Sequence, residues 1–262
     1  MQSFIILLIS GFFAGVLGGL LGIGGGIVLM PILRLCVGLS PALAAGTCVV
    51  AVFFTTLGGS FRHYKLGHID FRSIAPVIAA GAVSTIVFSM IFLYFSKRQG
   101  WLDLGTGLTF SLVSVRMIVE GWAQLQKGKV KEIGAAEIEG SLWGKFGIGG
   151  AAGILPGFLG IGTGAILVPV FVLVLGAPMK IAIGSSLSCF CVNAFLSSLF
   201  KFVQGFTAVQ VAVPLCIGTL IGSNIGAILN KRFPSAVLKI IFGVVFLGVS
   251  FKYVLLFFRG NL

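Results

Sequence analysis

The chain carries the same glycine-rich apolar segment twice, at a fixed offset of 138 residues. The first copy starts at Ala14 and reads AGVLGGLLGIGGGIVLMPIL, and the second starts at Ala152 and reads AGILPGFLGIGTGAILVPVF. Eleven of the twenty aligned positions are identical, and the match continues without a gap through Gly38/Gly176, Gly46/Gly184, Gly67/Gly205 and Pro76/Pro214. Interrupted apolar segments at corresponding positions of two halves indicate a transporter binding site.

Composition sets the class of protein. The chain is 58% hydrophobic and 9% charged, which is about a third of the charge of a soluble domain. Its apolar runs repeatedly exceed ~18 residues, so we expect an integral protein of the lipid bilayer. The net charge of +12 is scattered over short connectors, which argues against a nucleic-acid partner. The first basic residue is Arg34, so no basic region precedes the first apolar segment, and we expect that segment to belong to the mature protein rather than to a signal peptide.

Hydropathy predicts an all-α membrane protein of eight segments in two repeats of four. We place the first repeat at residues 1–123, an exposed connecting loop at 124–141 and the second repeat at 142–262. The segments cover residues 4–38, 42–60, 73–95, 101–124, 142–175, 180–200, 207–229 and 236–258.

The first segment of each repeat is too long for one crossing. Each has about 34 or 35 residues, which as a straight helix would measure ~50 Å against a hydrocarbon core of ~30 Å. The glycine clusters at 22–26 and 160–164 lie in the middle, where each glycine costs a helix roughly 1 kcal/mol relative to alanine. We therefore predict two half-helices per segment, the second starting near Gly25 or Thr163.

Two topologies remain open for these segments. Either they cross, giving parallel repeats, or they turn back, giving inverted repeats of one re-entrant hairpin and three spans. Crossing divides the Lys and Arg residues ten against seven, with Arg116 left out, whereas turning back divides them eleven against six. The sharper split favours re-entrant, inverted repeats with both termini outside, and it counts Lys201 among the outer connectors.

The second half-helices begin inside the membrane, where their unpaired N–H groups and positive dipole ends favour an anion. Glycine also lets the backbone approach a ligand closely. The alternative is that these glycines only allow close helix packing. The predicted substrate-binding residues at the breaks are Gly22, Gly24, Gly25, Gly26, Gly160, Gly162, Thr163 and Gly164.

A polar cluster follows each break in equivalent places. Thr47 and Cys48 align with Ser185 and Ser186, and further on Thr55 aligns with Asn193. Hydroxyl and amide groups can donate to an oxyanion at modest desolvation cost, so we predict substrate contacts from Thr47, Ser185, Ser186 and Asn193. The alternative is that Ser and Thr bond to carbonyls of their own helix.

Arg116 is the basic residue that the segment boundaries place deep inside a span, so it is a candidate substrate contact. Glu120 lies four residues later on the same helical face, and a structural ion pair between them is the alternative. His63 and His68 fall in a charged connector, where we expect them to be solvated.

The sequence does not match the signatures of enzyme active sites or of cofactor-binding sites. Gly22-x-Gly24 lacks the preceding strand and the following acidic residue of a dinucleotide site. The six acidic residues lie mostly in connectors and suggest no carboxylate pair for catalysis or metal binding. We therefore expect no enzyme activity, no cofactor and no metal.

The stretches GVLGGLLGIGGGIVLMPIL and GILPGFLGIGTGAILVPVF, with Gly184-Ser185-Ser186 after Pro178, closely resemble the sulfite exporter TauE/SafE family of membrane permeases. The resemblance covers essentially the entire chain. It implies secondary transport of sulfite, sulfonates or related anions, usually export, across the cytoplasmic membrane of a prokaryote. In the second copy, Thr163 replaces the third consecutive glycine, so the two breaks need not contribute equally to a binding site. Three alternatives remain open: a channel-like anion conductor, a permease for another small anion, and a non-transporting membrane scaffold. The chain could form a homo-oligomer, and the sequence leaves open whether transport is coupled to protons.

Overall fold

The computed structural model describes residues 4–127, 141–229 and 235–260, and these are helical apart from short turns. The predicted all-α class is confirmed. The connecting loop proposed at 124–141 lies mostly outside the described residues, because α5 continues to Lys127 and the description resumes at Ser141. The α-helices are α1 Phe4–Leu21, α2 Gly26–Pro31, α3 Pro41–Lys65, α4 Phe71–Phe95, α5 Gln99–Lys127, α6 Leu142–Leu159, α7 Gly164–Leu173, α8 Met179–Val203, α9 Val209–Leu229 and α10 Ser235–Gly260.

Seven helices in the described ranges are long and apolar enough to cross a membrane: α1, α3, α4, α5, α8, α9 and α10. Many large apolar side chains on them are exposed, as lipid-facing surfaces require. The chain is therefore a multi-pass membrane protein. Helix starts follow ordinary capping rules, since Ser40 and Ser141 accept hydrogen bonds from Leu43 and Gly144 at the starts of α3 and α6.

Each long segment is broken into two helices, as predicted. In the first, α1 ends at Leu21 and α2 begins at Gly26, continuing past Pro31 into a π-helical turn, Ile32–Cys36. In the second, α6 ends at Leu159 and α7 begins at Gly164. The predicted starts of the second half-helices are thus confirmed to within a residue.

The chain reverses direction at the first break. A β-carbon on Gly25 would lie 2.9 Å from the carbonyl oxygen of Ala14, and one on Gly18 would lie 2.6 Å from the nitrogen of Gly25. In a continuing helix, residues 14 and 25 would be about 16 Å apart. The break therefore folds back along the last turns of α1, and Gly25, directly before α2, lies beside Ala14.

Helices at equivalent positions of the two halves pack antiparallel. In α3 and α8, the Ser60 and Ser188 hydroxyls are 2.7 Å apart, and the Phe53 ring, earlier in α3, packs on the Phe195 ring, later in α8. In α5 and α10, Gly107 packs on Tyr253, whereas Ile118, later in α5, packs on Gly243, earlier in α10. Opposed directions for equivalent helices are what inverted repeats require.

The two halves interlock through glycine faces. Gly11, Gly15 and Gly19 of α1 pack on Leu215, Thr219 and Ser223 of α9, which belongs to the other half. The equivalent glycines of α6, 138 residues later, pack on α4 at Val77, Gly81 and the Ser84–Thr85 turn. These glycines are spaced by four, so their role is close helix packing, unlike the consecutive glycines of the breaks.

Two basic side chains lie elsewhere than expected. Lys201, counted above as a connector residue, is fully buried within α8. Lys145 of α6, counted on the side that held eleven, is buried as well, so leaving out both residues gives ten against five and the asymmetry is kept. His63 was expected to be solvated, and this was wrong: it belongs to α3 and only 2% of it is exposed. The helix extends to Lys65, five residues beyond the predicted segment end, and packs His63 against α8.

Candidate functional site

The two glycine breaks touch each other through their main chains. A β-carbon on Gly164 would overlap the carbonyl oxygen of Gly22, and one on Gly162 would overlap that of Ile23. A β-carbon on Gly26 would stand 2.9 Å from the nitrogen of Gly162. The sequence predicted both breaks, and the structure brings them together at one crossing point.

The two breaks differ in backbone conformation. Gly22, Gly24 and Gly25 have φ of 72°, 75° and 72°, the left-handed region that disfavours any side chain. In the second break Gly160 has φ of 69°, whereas Thr163 has φ of −93°. A threonine is therefore accommodated at 163 without strain, while its counterpart at 25 has to be glycine.

Side chains of α3 and α8 cover the crossing. A β-carbon on Gly24 would lie 2.5 Å from the ring of Phe190, and one on Gly162 would lie 3.0 Å from the same ring. Val52, at the position equivalent to Phe190, packs on Gly26. All residues of both breaks, 22–26 and 160–164, are buried. The site is closed in this conformation.

Three of the predicted site residues carry buried polar atoms without a hydrogen-bond partner: Thr163 Oγ1, Ser186 Oγ and Asn193 Oδ1. Thr163 immediately precedes α7 but makes no capping bond with its hydroxyl. Ser186, Phe190 and Asn193 are spaced by four and three residues and share one face of α8. Because buried polar groups are nearly always paired, these three atoms are candidates for contact with a ligand.

Thr47 and Ser185 already have main-chain partners. The Thr47 hydroxyl accepts a hydrogen bond of 3.0 Å from the N–H of Ala208, just before α9, and Ser185 accepts one of 3.4 Å from Asp70, just before α4. Each hydroxyl thus anchors the start of a helix in the opposite half, and its own O–H remains a donor. Thr55, by contrast, bonds back to the carbonyl of Ala51, the alternative given for such residues.

Arg116 pairs with Glu120, as the sequence suggested, at 2.9 Å. Lys239 of α10 pairs with the other carboxylate oxygen at 3.1 Å, so the cluster carries one net positive charge. A cavity of about 30 Å³, large enough for a water molecule, is lined by Glu120 and Lys239 and also by Ile23 and Gly164 of the two breaks. The charged cluster therefore adjoins the crossing.

Sequence reasoning missed Phe190 and Lys239. Phe190 carries no polar atom, and its only signal is its place four residues after Ser186. Lys239 falls inside the predicted segment 236–258, close to its start, and was not singled out. Pairing α5 with α10 brings it to Glu120, and that contact has no local sequence signature.

Comparison with known proteins identifies relatives along nearly the whole chain. The family model described as Sulfite exporter TauE/SafE matches residues 7–253. The probable membrane transporter protein YunE of Bacillus subtilis is 27% identical over 95% of this chain and 96% of its own length. A probable membrane transporter protein of Xylella fastidiosa is 28% identical, with 95% and 94% covered.

A relative from a plant matches a shorter part of the chain. Sulfite exporter TauE/SafE family protein 1 of Arabidopsis thaliana is 30% identical over 46% of this chain and 27% of its own length. No solved structure gives a significant match. With a family model that spans residues 7–253 and relatives named as membrane transporters, the chain belongs to the sulfite exporter TauE/SafE family of membrane transporters.

Proposed function

We propose that this protein is a secondary permease that exports a small sulfur-containing anion, such as sulfite or an organosulfonate, by alternating access around an anion site at the crossing of its two breaks. The observation that carries the proposal is the meeting of two helix amino ends there, with orphaned hydroxyls beside them.

The chemistry of the crossing suits an anion. The first N–H groups of a helix have no partner within it, and the helix dipole makes that end positive. The ten-residue α7 starts at Gly164, and the helix from Gly26 to Cys36 starts on the other side of the crossing. Thr163 and Ser186 add hydroxyl donors. Such a site binds an oxyanion without a lysine or arginine, which favours release as well as binding.

The charged cluster supports an approach route for the anion. Arg116 and Lys239 share the single carboxylate of Glu120, so one positive charge is left beside the cavity that reaches Ile23 and Gly164. A fixed positive charge in a narrow low-dielectric entrance raises the local concentration of anions. Arg116 then serves at the entrance rather than at the crossing.

Closure of the site favours a transporter over a channel. Both breaks are buried, and Phe190 and Val52 cover them from α8 and α3. An open conductor would need a continuous aqueous path, whereas an occluded site between two oppositely oriented halves is the state that alternating access passes through. Movement of one half against the other would uncover the crossing on each side in turn.

The proposed orientation puts both termini outside and the loop near residues 128–140 in the cytoplasm of a prokaryote, with the protein in the cytoplasmic membrane. The ten-to-five charge asymmetry and the antiparallel packing of α3 on α8 support it. Export of an anion from an inside-negative cell then gains ~2.3 kcal/mol per charge per 100 mV, so uniport suffices. A cysteine at Lys131 should react with an impermeant maleimide only after the cells are opened.

Counterflow of labelled sulfite in proteoliposomes tests the transporter proposal. We expect saturable exchange that a large excess of unlabelled sulfite accelerates from the opposite side. Ser186→Ala should lower the exchange rate by about tenfold, since one donated hydrogen bond to a charged group contributes about 1.5 kcal/mol. The matched control is Ser198→Ala on the same helix, where the hydroxyl bonds to the Phe195 carbonyl, and its rate should be unchanged. Currents without exchange would favour the channel-like alternative.

A further inference from the structure

Lys201 is fully buried and is held by three oxygen atoms. Its Nζ donates to the carbonyl of Pro156 at 3.0 Å, the carbonyl of Gly157 at 2.7 Å and the hydroxyl of Ser197 at 2.9 Å. Both carbonyls belong to the last turn of α6, directly before the second glycine break. A buried ammonium group is costly, so this arrangement needs a reason beyond helix stability.

The positive charge of Lys201 is balanced by dipoles rather than by an acid. Among the described residues, no carboxylate lies within salt-bridge distance of its Nζ. The free carbonyls at the carboxyl end of a helix carry partial negative charge, and the ring of Phe92 lies 4.5 Å below the ammonium group. Carbonyls, a hydroxyl and an aromatic face of the described residues thus surround this charge.

This ligand set is the one that secondary transporters offer to a small cation. Where membrane helices are broken, carbonyls at the carboxyl end of a half-helix coordinate Na⁺ or another monovalent ion. Here the carboxyl end of α6 presents two carbonyl oxygens and Ser197 a third oxygen, and the lysine ammonium group fills the centre.

We propose that Lys201 is a tethered cation, which occupies a monovalent-cation site at the carboxyl end of α6 and holds the second glycine break in shape without a bound Na⁺ or K⁺. The protein therefore needs no dissolved cation at this point. The inference concerns the stability of the break and does not depend on which anion is carried.

The described residues of the other half form no such cage at the equivalent position. The position equivalent to Lys201 is His63, and Gly18 stands where Pro156 stands. His63 Nδ1 lies 3.4 Å from His68 Nδ1, and its Nε2 has no partner. The tethered cation is thus a property of the second break alone.

Cation rescue of a truncated lysine tests the proposal. Lys201→Ala leaves room for a small cation among the three oxygens, whereas Lys201→Met removes the charge and fills the space. In purified protein at constant ionic strength, about 200 mM ammonium chloride should raise the Tm of Lys201→Ala by about 3 °C over the same concentration of choline chloride. Lys201→Met should show no such difference.

Lys65→Ala provides the matched control. Lys65 also lies 4.5 Å above a phenylalanine ring, that of Phe61, but it is exposed. Its Tm should not distinguish ammonium from choline. If Lys201→Ala and Lys65→Ala respond alike, or if Lys201→Met is rescued as well, the oxygens around Lys201 are not a cation site and the proposal is wrong.

The unmodified protein supplies a measurement that does not depend on a variant folding. Its Tm in sodium, potassium and choline chloride should agree within about 1 °C, since the tethered amine already fills the site. A rise of about 3 °C or more in sodium or potassium would show a separate cation requirement and would contradict the proposal. Neither result depends on the identity of the transported anion.

Discussion

Gly164 lies directly against the carbonyl oxygen of Gly22, with no room between them for a β-carbon. The contact joins residues 142 positions apart and links the two halves at the point where each broken segment is unwound. Both residues are fixed by neighbours, since Gly22 packs on Ile183 and Gly164 faces Ile23. The contact therefore sets how closely the two breaks approach.

Gly164→Ala should disrupt the crossing. The added methyl group would overlap the main chain of Gly22 and Ile23, which cannot move as a flexible side chain can. We expect a loss of about 3 kcal/mol in the free energy of unfolding, measured as a fall in Tm of the detergent-purified protein. Gly150→Ala on α6 is the control, because nothing lies within 4 Å of its new methyl group, and it should be neutral or stabilising.

Thr163→Val should raise the stability of the ligand-free protein. Its hydroxyl is buried without a partner, so removing it relieves a desolvation cost of about 1 kcal/mol, with shape almost unchanged. Thr85→Val is the matched control, because Thr85 Oγ1 donates 3.1 Å to the Gly153 carbonyl, and its Tm should fall. If the Tm of Thr163→Val falls as much as that of Thr85→Val, the Thr163 hydroxyl has a structural hydrogen-bond partner and no role in binding a ligand.

The bidentate pair between Arg34 and Asp103 ties the π-helical turn Ile32–Cys36 to α5. Arg34 Nε and Nη2 donate to the two carboxylate oxygens at 3.0 and 2.9 Å, and Asp103 is only 5% exposed. Asp103→Asn should cost about 2–3 kcal/mol in the free energy of unfolding, because it leaves a half-buried guanidinium without its counter-charge. The double variant Arg34→Met/Asp103→Leu should recover at least half of the loss in Tm. No recovery would show that the pair acts through other contacts.

Cysteine cross-linking tests the antiparallel packing of α5 on α10. The hydroxyls of Ser111 and Ser250 are 2.6 Å apart, so Ser111→Cys/Ser250→Cys in a cysteine-free background should form a disulfide on mild oxidation. After cleavage at a protease site engineered between residues 128 and 140, the two halves should stay joined on a non-reducing gel. Ser111→Cys/Ser188→Cys, on helices without an extensive interface, should separate. Equal cross-linking of both pairs would contradict the packing.

The glycine breaks and the approximate helix positions could be predicted because their signals are local. Glycines at 22–26 and 160–164 interrupt apolar runs that are too long to span once, and the half-helix starts follow directly. The Arg116–Glu120 pair is equally local, being one helical turn apart. Such features depend on spacing along one segment and need no knowledge of how segments pack.

The remaining features depend on packing between segments distant in the chain. Lys201 stands two residues before the end of α8 and was predicted to be a connector residue, but its carbonyl partners on α6 lie about 45 residues away in the chain. His63 is buried because α3 runs on for a further turn and meets α8. From sequence alone, Thr47 and Ser185 could be either substrate contacts or hydrogen-bond partners for the start of another helix. The tertiary structure shows that both accept hydrogen bonds from the start of a helix in the opposite half.

The rise in Tm that anions produce in the purified protein and in Thr163→Val is the direct test of an anion site at the crossing of the two breaks. Sulfite and small organosulfonates should raise the Tm of the unmodified protein by about 3 °C or more at saturating concentrations, and acetate should not. Thr163→Val, although at least as stable without ligand, should lose at least half of that rise. If no anion raises the Tm, or if Thr163→Val keeps the full rise, the crossing of the two glycine breaks is not the anion site.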